Sequence, residues 1–379
     1  MLRVVALASV VLLACTEHEP PSGPFVTSRV ESKAFPFGFA PSLDVLFVVD
    51  RSPAMAPFRA GLLAQATQIA DVLEHYPWGT PSLHIGVTTS DLGAEGVAVP
   101  GCTGDGDGGW LRGARFLSDL AAPDGSRVRN YEGSLGEALG ALLDVGDAGC
   151  PYSRPLAAAR RALENTVENA GFRRSDAYLA IVFVTAQDDC SFTDASFLAG
   201  STSTDTSRCT TQASALPAVE DFVDFVWTVA AADWAVLVGA VIAPTDPACD
   251  AQPAPRLRAL LQQLGSRGVE TSLCGASYGD VLDVPLFFRT LGGPPCIETA
   301  LFDEDPSVPG LQPACAAAYE LSDGTEGVLP ACGGDERLCW HLDDDLVNCP
   351  QTGKRITVDT HGVAYPLGWV TMQCLVEGD

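Results

Sequence analysis

The run Leu43-Asp44-Val45-Leu46-Phe47-Val48-Val49 leads directly into Asp50-Arg51-Ser52-Pro53-Ala54-Met55. A nearly continuous apolar run of this length is typical of a strand that is buried on both faces, as in a parallel sheet. The residues that follow such a strand lie at its carboxyl end, where open α/β sheets bind ligands. This stretch therefore predicts both the fold class and the place of a candidate site.

Around this run, apolar strands alternate with amphipathic helices as far as about residue 291. Further strands are predicted at 83–87, 179–184, 235–243 and 269–273, and apolar residues at helical spacing at 58–76, 135–143, 156–167, 216–226 and 257–264. Because each helix returns the chain to the same edge of the sheet, this alternation predicts an α/β fold. We expect a mainly parallel sheet covered by helices on both faces.

The composition changes after Leu291. Gly292-Gly293-Pro294-Pro295 is typical of a linker, and the residues beyond it are rich in cysteine and turn formers. We therefore divide the chain into a signal segment (1–15), a tether (16–40), a main domain (41–293) and a small disulfide-rich, β-containing C-terminal unit (294–379).

The first fifteen residues resemble an export signal. Arg3 precedes the apolar run 4–14, which is too short to span a membrane and ends in Leu12-Leu13-Ala14-Cys15. This ending resembles a lipobox, which implies a lipid anchor on Cys15. In a two-membrane cell, Thr16 after that cysteine implies the outer membrane. The alternative is an ordinary cleaved signal peptide. The polar, Pro-rich residues 16–24 predict a tether between anchor and domain.

The cysteines support export. Of the thirteen, twelve remain once Cys15 is set aside, six before residue 293 and six after it. Exported proteins keep disulfides, whereas cytosolic proteins rarely do. The competing interpretation, zinc, lacks a C-x-x-C pair and histidines at finger spacing. We predict that all twelve are paired, with no bridge between the main domain and the tail, but connectivity cannot be read from the sequence.

The charge excludes two classes of partner. The chain has 48 Asp and Glu against 22 Lys and Arg, a formal net charge of −26. Such a surface repels nucleic acid and offers no polybasic patch to anionic lipid. We expect no nucleic acid partner, and membrane contact only through the lipid anchor.

Asp50-Arg51-Ser52-Pro53-Ala54 resembles the D-x-S-x-S start of the metal-ion-dependent adhesion site in von Willebrand factor A (vWA) domains. The resemblance is to vWA-like lipoproteins of the type found in myxobacteria, and it implies a vWA- or Rossmann-like sheet. It extends to these segments: Asp44–Asp50, His84–Leu92, Gly108–Leu111, Gly149-Cys150 with Pro155–Arg160, and Val184-Thr185 with Asp188–Ser191.

The resemblance implies a Mg²⁺ held by oxygen ligands from three loops, with a partner's carboxylate completing the shell. This chain departs from that pattern. Ala54 stands where an oxygen ligand is expected, and Ala186 follows Thr185 where a carboxylate is expected. Asp50 and Ser52 remain, with Asp188 and Asp189 as late substitutes. The alternative is that Asp50 and Ser52 cap a helix and bind loop amides. We expect weak or absent metal binding at a degenerate site.

A second acidic motif is Asp105-Gly106-Asp107-Gly108. It resembles the start of a calcium loop, with Asp105 and Asp107 as candidate ligands, but the expected later Glu is missing. The alternative is a Gly/Asp turn near Cys102. Mg²⁺ or Ca²⁺ are thus the only cofactors left open, and neither is required by the sequence.

The common catalytic motifs are absent from the sequence, among them G-x-S-x-G, H-E-x-x-H and the phosphate-binding glycine loop. We therefore expect a non-catalytic binding, adhesion or scaffold protein, exported and lipid-anchored to the cell envelope, whose partner is a protein or an envelope polymer. The alternative is a secreted-type hydrolase of an envelope or extracellular polymer, since two carboxylates suffice for glycoside hydrolysis.

Overall fold

The computed structural model describes residues 28–37, 42–75, 80–102, 104–113, 115–122, 126–175, 177–201, 207–230, 235–244, 249–282, 295–321, 324–334, 336–346, 349–361, 365 and 368–378. The candidate lipobox at Cys15, residues 16–27 of the expected tether and Gly292-Gly293-Pro294 lie outside these residues.

Thirteen strands and six α-helices are found in this part of the chain. The strands are β1 (Ser28–Phe37), β2 (Ser42–Val49), β3 (Ser82–Thr89), β4 (Leu117–Ala121), β5 (Arg127–Arg129), β6 (Tyr178–Val184), β7 (Val236–Ile242), β8 (Gly268–Ser272), β9 (Cys315–Leu321), β10 (Glu326–Leu329), β11 (Cys339–Asp344), β12 (Lys354–Asp359) and β13 (Gly368–Glu377). The helices are α1 (Arg59–Glu74), α2 (Leu135–Leu143), α3 (Pro155–Glu164), α4 (Arg208–Thr211), α5 (Val219–Val229) and α6 (Pro255–Leu264).

The expected mainly parallel sheet is wrong. The large sheet is mixed, with the order β5-β4-β3-β2-β6-β7-β8. β2, β3, β6, β7 and β8 pair in parallel, but β4 and β5 pair antiparallel at one edge. The other two sheets are entirely antiparallel, so antiparallel pairings outnumber parallel ones among the described strands. The sequence patterns located β2, β3, β6, β7 and β8, whereas β4 and β5 are short and partly polar and were missed.

Alternate residues of the central strands enter two separate apolar clusters. Val45, Phe47 and Val49 of β2 pack in one cluster with residues of α1 and α2. Leu46 and Val48 pack in the other, with residues of α3, α5 and α6. This period-two division fixes the register of β2, since a slip of one residue would exchange the two sets.

The C-terminal unit includes a strand from the expected tether. β1 pairs along its whole length with β13 in a four-stranded antiparallel sheet of order β1-β13-β9-β10. One side of this sheet packs Phe35, Val370 and Met372 into a third apolar cluster, together with Trp340 and Ile356 from the β11-β12 hairpin. Residues 28–37 are therefore a structural part of the tail and not a free tether.

Six disulfides confirm the predicted pairing. They are Cys102–Cys150, Cys190–Cys209, Cys249–Cys274, Cys296–Cys349, Cys315–Cys374 and Cys332–Cys339. Three lie before residue 293 and three after it, and none joins the two parts. Each closes a loop that would otherwise be free in the unfolded chain. In the chain-entropy account, each therefore stabilises the folded state by about 2–4 kcal/mol.

None of the helices in the described ranges is long and apolar enough to cross a membrane.

Candidate functional site

Six buried polar side chains meet at the carboxyl edge of the parallel strands. Because β2, β3 and β6 run in parallel, Asp50, Ser90 and Thr185 follow their last residues at one edge of the sheet. We call the group the edge cluster; it comprises Asp50, Ser52, Ser90, Ser153, Thr185 and Gln187, all of them buried. Sequence reasoning placed only Asp50 and Ser52 there.

Asp50 lies at the centre of the edge cluster. The Ser52 main-chain N–H donates to Asp50 Oδ1 at 2.8 Å, and the Thr185 hydroxyl donates to Oδ2 at 2.9 Å. The Ser90 hydroxyl lies 3.5 Å from Oδ1. Burial raises the pKa of Asp50 above its ordinary value, although the hydrogen bonds from Ser52, Thr185 and Ala186 act in the opposite direction. The carboxyl group is thus held by neutral donors.

Gln187 connects the loop after β2 to the loop that carries Pro151 and Ser153. Its side-chain Nε2 donates to Ser52 Oγ at 2.8 Å and to the main-chain oxygen of Pro151 at 2.9 Å. In the same loop as Pro151, the Ser153 hydroxyl donates to the Ser90 hydroxyl at 2.8 Å. The three loops that would supply metal ligands are therefore joined directly by hydrogen bonds of the protein itself.

The donor set does not fit Mg²⁺. Asp50 is its only carboxylate, and the amide of Gln187 presents N–H groups, which cannot ligate a cation, to Ser52 Oγ. Ala186 is buried in the apolar cluster and Ala54 packs against that cluster, so both missing donors are replaced by core contacts. More generally, no three His, Cys, Asp or Glu side chains within the described ranges are grouped so that they could hold a metal ion.

Asp188, one of the two late substitutes, binds the start of α6. Both of its carboxylate oxygens lie 3.1 Å from the Arg256 main-chain N–H, and Oδ1 also accepts from the Leu257 N–H at 3.3 Å. Burial raises the pKa of Asp188 to about 6, against the effect of these amides. Because α6 has Ala254 at its N-cap and no cap from its own side chains, Asp188 satisfies amides that the helix leaves open.

Asp189 does the same for α3. Its Oδ1 accepts from the Leu156 N–H at 3.2 Å and from the Ser191 hydroxyl at 2.5 Å, and that hydroxyl in turn accepts from the Ala157 N–H at 2.9 Å. Its Oδ2 forms an ion pair with Arg256 at 3.2 Å. The two adjacent carboxylates thus cap two different helices and do not restore charge at Asp50.

The second acidic motif, at residues 105–108, is a turn that Arg51 binds from the loop after β2. Arg51 binds both oxygens of Asp107 at 2.9 Å, and the Thr89 hydroxyl donates to the same carboxylate at 2.6 Å. Asp105 is exposed, and Gly106 and Gly108 have positive φ angles of 57° and 66°. The Asp107 carboxylate is thus already bound by Arg51 and Thr89 while Asp105 is exposed, which favours the turn over a calcium loop.

A buried acid that sequence reasoning missed holds the neighbouring loops together. Asp91, next to Ser90, accepts from the Gly93 N–H at 2.9 Å and from the Cys150 N–H at 3.0 Å. It thereby links the loop after β3 to the loop that carries Ser153. Its position directly after a strand end was the one available signal.

The chain shows little similarity to known proteins. No protein-family model matches the chain, and no curated protein matches it. Two solved structures of proximal thread matrix protein 1 from the mussel byssus are similar to it, with TM-scores of 0.37 and 0.34 at 11% and 12% identity. The matches cover 66% and 68% of this chain and 49% and 48% of those chains, so this chain spans about half their length. Such values establish neither a shared fold nor a shared function.

Proposed function

We propose that the protein is an exported, lipid-anchored binding or scaffold protein with a degenerate vWA-type adhesion site, and that it binds its partner without a metal ion. The observation that carries this proposal is the position of Gln187. Its amide joins Ser52 to Pro151 across the place where a cation would need oxygen donors from two loops. An edge closed in this way recognises a partner through its outer surface and not through a metal-bound carboxylate.

The non-catalytic part of the proposal is supported by what the buried carboxylates bind. Asp50 accepts from an amide and hydroxyls, Asp188 from the amides of α6, and Asp189 from the amides of α3 and from Arg256. General acid–base catalysis needs a carboxyl group within hydrogen-bond reach of a substrate proton. Groups that are less than a tenth exposed and already hydrogen-bonded within the protein are poorly placed for that role.

The proposed cellular location has a coarser part, export, and a finer part, attachment to the outer membrane. The six disulfides are consistent with an exported or extracellular protein. Attachment to the outer membrane through Cys15 is the finer proposal, and the lipobox-like ending Leu12-Leu13-Ala14-Cys15 supports it. The partner that fits this location is a protein or an envelope polymer.

Retention of envelope material with and without chelator tests the proposal. A Cys15→Ser chain, immobilised without its anchor, is incubated with solubilised envelope from the producing cells in Mg²⁺ or in EDTA. We expect the same components to be retained in both buffers, because no step depends on a cation. Retention that requires Mg²⁺ and disappears in Asp50→Ala would contradict the proposal. Release of polymer fragments that Asp50→Asn abolishes would establish a hydrolase instead.

A further inference from the structure

A groove of about 680 Å³ lies between α3 and α5, next to the loop that carries Asp189. Its floor includes Leu156, Phe222 and Phe225, which are 4%, 4% and 7% exposed. The Arg160 guanidinium lies 4.5 Å from the centre of the Phe225 ring and covers part of the floor. The groove thus offers an apolar surface that begins beside the N-terminus of α3.

The rim of the groove carries an excess of negative charge. Glu164, Asp221 and Asp224 line it and are exposed. Its two cations are Arg160 and Arg256, but Arg256 is neutralised by Asp189, 3.2 Å away.

Arg160 leaves the two α5 carboxylates available. It donates to the main-chain oxygen of Asp221 at 2.6 Å and lies 3.9 Å from Glu164. No ion pair of Asp221 or Asp224 occurs among the residues that the structure describes. Two carboxylates one helical turn apart therefore face solvent above an apolar floor without a counter-charge.

We infer that this groove docks a segment of a partner protein in which lysine or arginine alternates with large apolar side chains. The inference rests on the proposed binding function and specifies its surface and partner. Apolar side chains would enter over Phe222 and displace Arg160 from Phe225, while the basic side chains pair with Asp221 and Asp224. A chain of net charge −26 attracts such a segment from a distance and repels anionic polymers.

The probe is a fluorescently labelled octapeptide that alternates lysine with leucine, titrated into the Cys15→Ser chain at about 0.01 M ionic strength, where charges act over ~30 Å. The double variant Asp221→Asn, Asp224→Asn should bind it about fivefold more weakly, as expected for two surface ion pairs. The matched control is Asp71→Asn, Glu74→Gln, which removes two charges from α1, a helix that packs in the other apolar cluster. It should bind within about twofold of the parent.

Three outcomes would overturn the inference. The first is no binding of the lysine–leucine peptide. The second is equal weakening by both double variants, which would show attraction to the total charge alone. The third is tighter binding of a neutral chito-oligosaccharide that is insensitive to salt and to the Asp221→Asn, Asp224→Asn change, which would assign the groove to a saccharide. Unchanged melting temperatures of the two double variants ensure that binding, and not folding, is compared.

This test and the envelope test fail separately. If the peptide does not bind but envelope components are retained in EDTA, the binding surface lies elsewhere and the proposed function stands. Magnesium-dependent retention would contradict the proposed function whatever the peptide does.

Discussion

Replacing Asp189 by alanine should destabilise the main domain far more than an ordinary loop substitution. The side chain is 0% exposed and accepts hydrogen bonds from Leu156 and Ser191 as well as from Arg256. Loss of a helix cap costs about 1 kcal/mol. Leaving a buried ion-pair partner uncompensated costs about 3–5 kcal/mol. This cost is reduced here because the Arg256 guanidinium keeps its hydrogen bond to the Pro217 main-chain oxygen. We therefore expect the free energy of unfolding to fall by about 3–4 kcal/mol in all.

The measurement is guanidinium denaturation with disulfides intact, followed by circular dichroism at a helical wavelength, because all six described α-helices lie in the main domain. The matched control is Asp194→Ala, which removes another loop cap, on Ser196, but an exposed one. It should cost about 1 kcal/mol or less. Asp189→Asn, which keeps an acceptor for the Leu156 amide, should fall between the two. If Asp189→Ala is no worse than Asp194→Ala, the helix-capping role of Asp189 is wrong.

Three further predictions concern pH, anchoring and redox state. Because burial raises the pKa of Asp188 to about 6, the folded chain binds a proton that the unfolded chain, with a pKa near 4, has released. As the pH rises from about 4 to about 6, the contribution of Asp188 to the free energy of unfolding therefore falls, by at most ~3 kcal/mol. This fall should be missing from the stability–pH curve of Asp188→Asn. Parallel curves for the parent and the variant would refute the prediction. The Cys15→Ser chain should move from the membrane fraction to the soluble fraction on cell fractionation, and continued sedimentation with membranes would argue against lipidation. Thiol titration of the denatured, unreduced Cys15→Ser chain should find no free thiol, whereas a free thiol would contradict the disulfide set.

The sequence predicted five of the seven strands in the large sheet and missed the two at its antiparallel edge. The apolar runs located β2, β3, β6 and β7 to within a few residues, because a strand covered on both faces needs apolar residues at nearly every position. β4 and β5 gave no such signal, because polar contacts join them: the buried Asp119 of β4 binds Arg127 and Arg129 of β5, and also Tyr131. Because these two antiparallel strands were missed, the sheet was expected to be mainly parallel when it is mixed.

The pairing of β1 was hidden for another reason. Ser28–Phe37 contains five charged or hydroxyl residues in its first six positions and follows a Pro-rich segment, so it resembled a tether. Its partner, β13, is at the far end of the chain. Pairing over such a separation depends on the tertiary fold, and neither segment shows in its own sequence which strand it pairs with.

The candidate site shows the same limit. Asp50 and Ser52 are close in the chain and their contact was predictable, but Gln187 and Ser153 reach the edge cluster only through the meeting of three loops. For Asp188 and Asp189 a signal did exist. α3 and α6 both begin at a proline and carry Arg154 and Ala254 at their N-caps, with no side-chain cap of their own. Two helices without caps and an unexplained acidic pair between them indicate capping from a distance.

The most direct test of the account is a thermal melt of the Cys15→Ser chain with Mg²⁺, Mn²⁺ or EDTA. A cation bound to the folded state at about a hundred times its dissociation constant would stabilise it by about 2.7 kcal/mol. Because Gln187 closes the edge cluster, we predict the same melting temperature in all three buffers at millimolar metal, for the parent and for Asp50→Asn alike. A rise of several degrees with Mg²⁺ or Mn²⁺ that Asp50→Ala abolishes would contradict the account and restore metal-dependent adhesion as the mechanism.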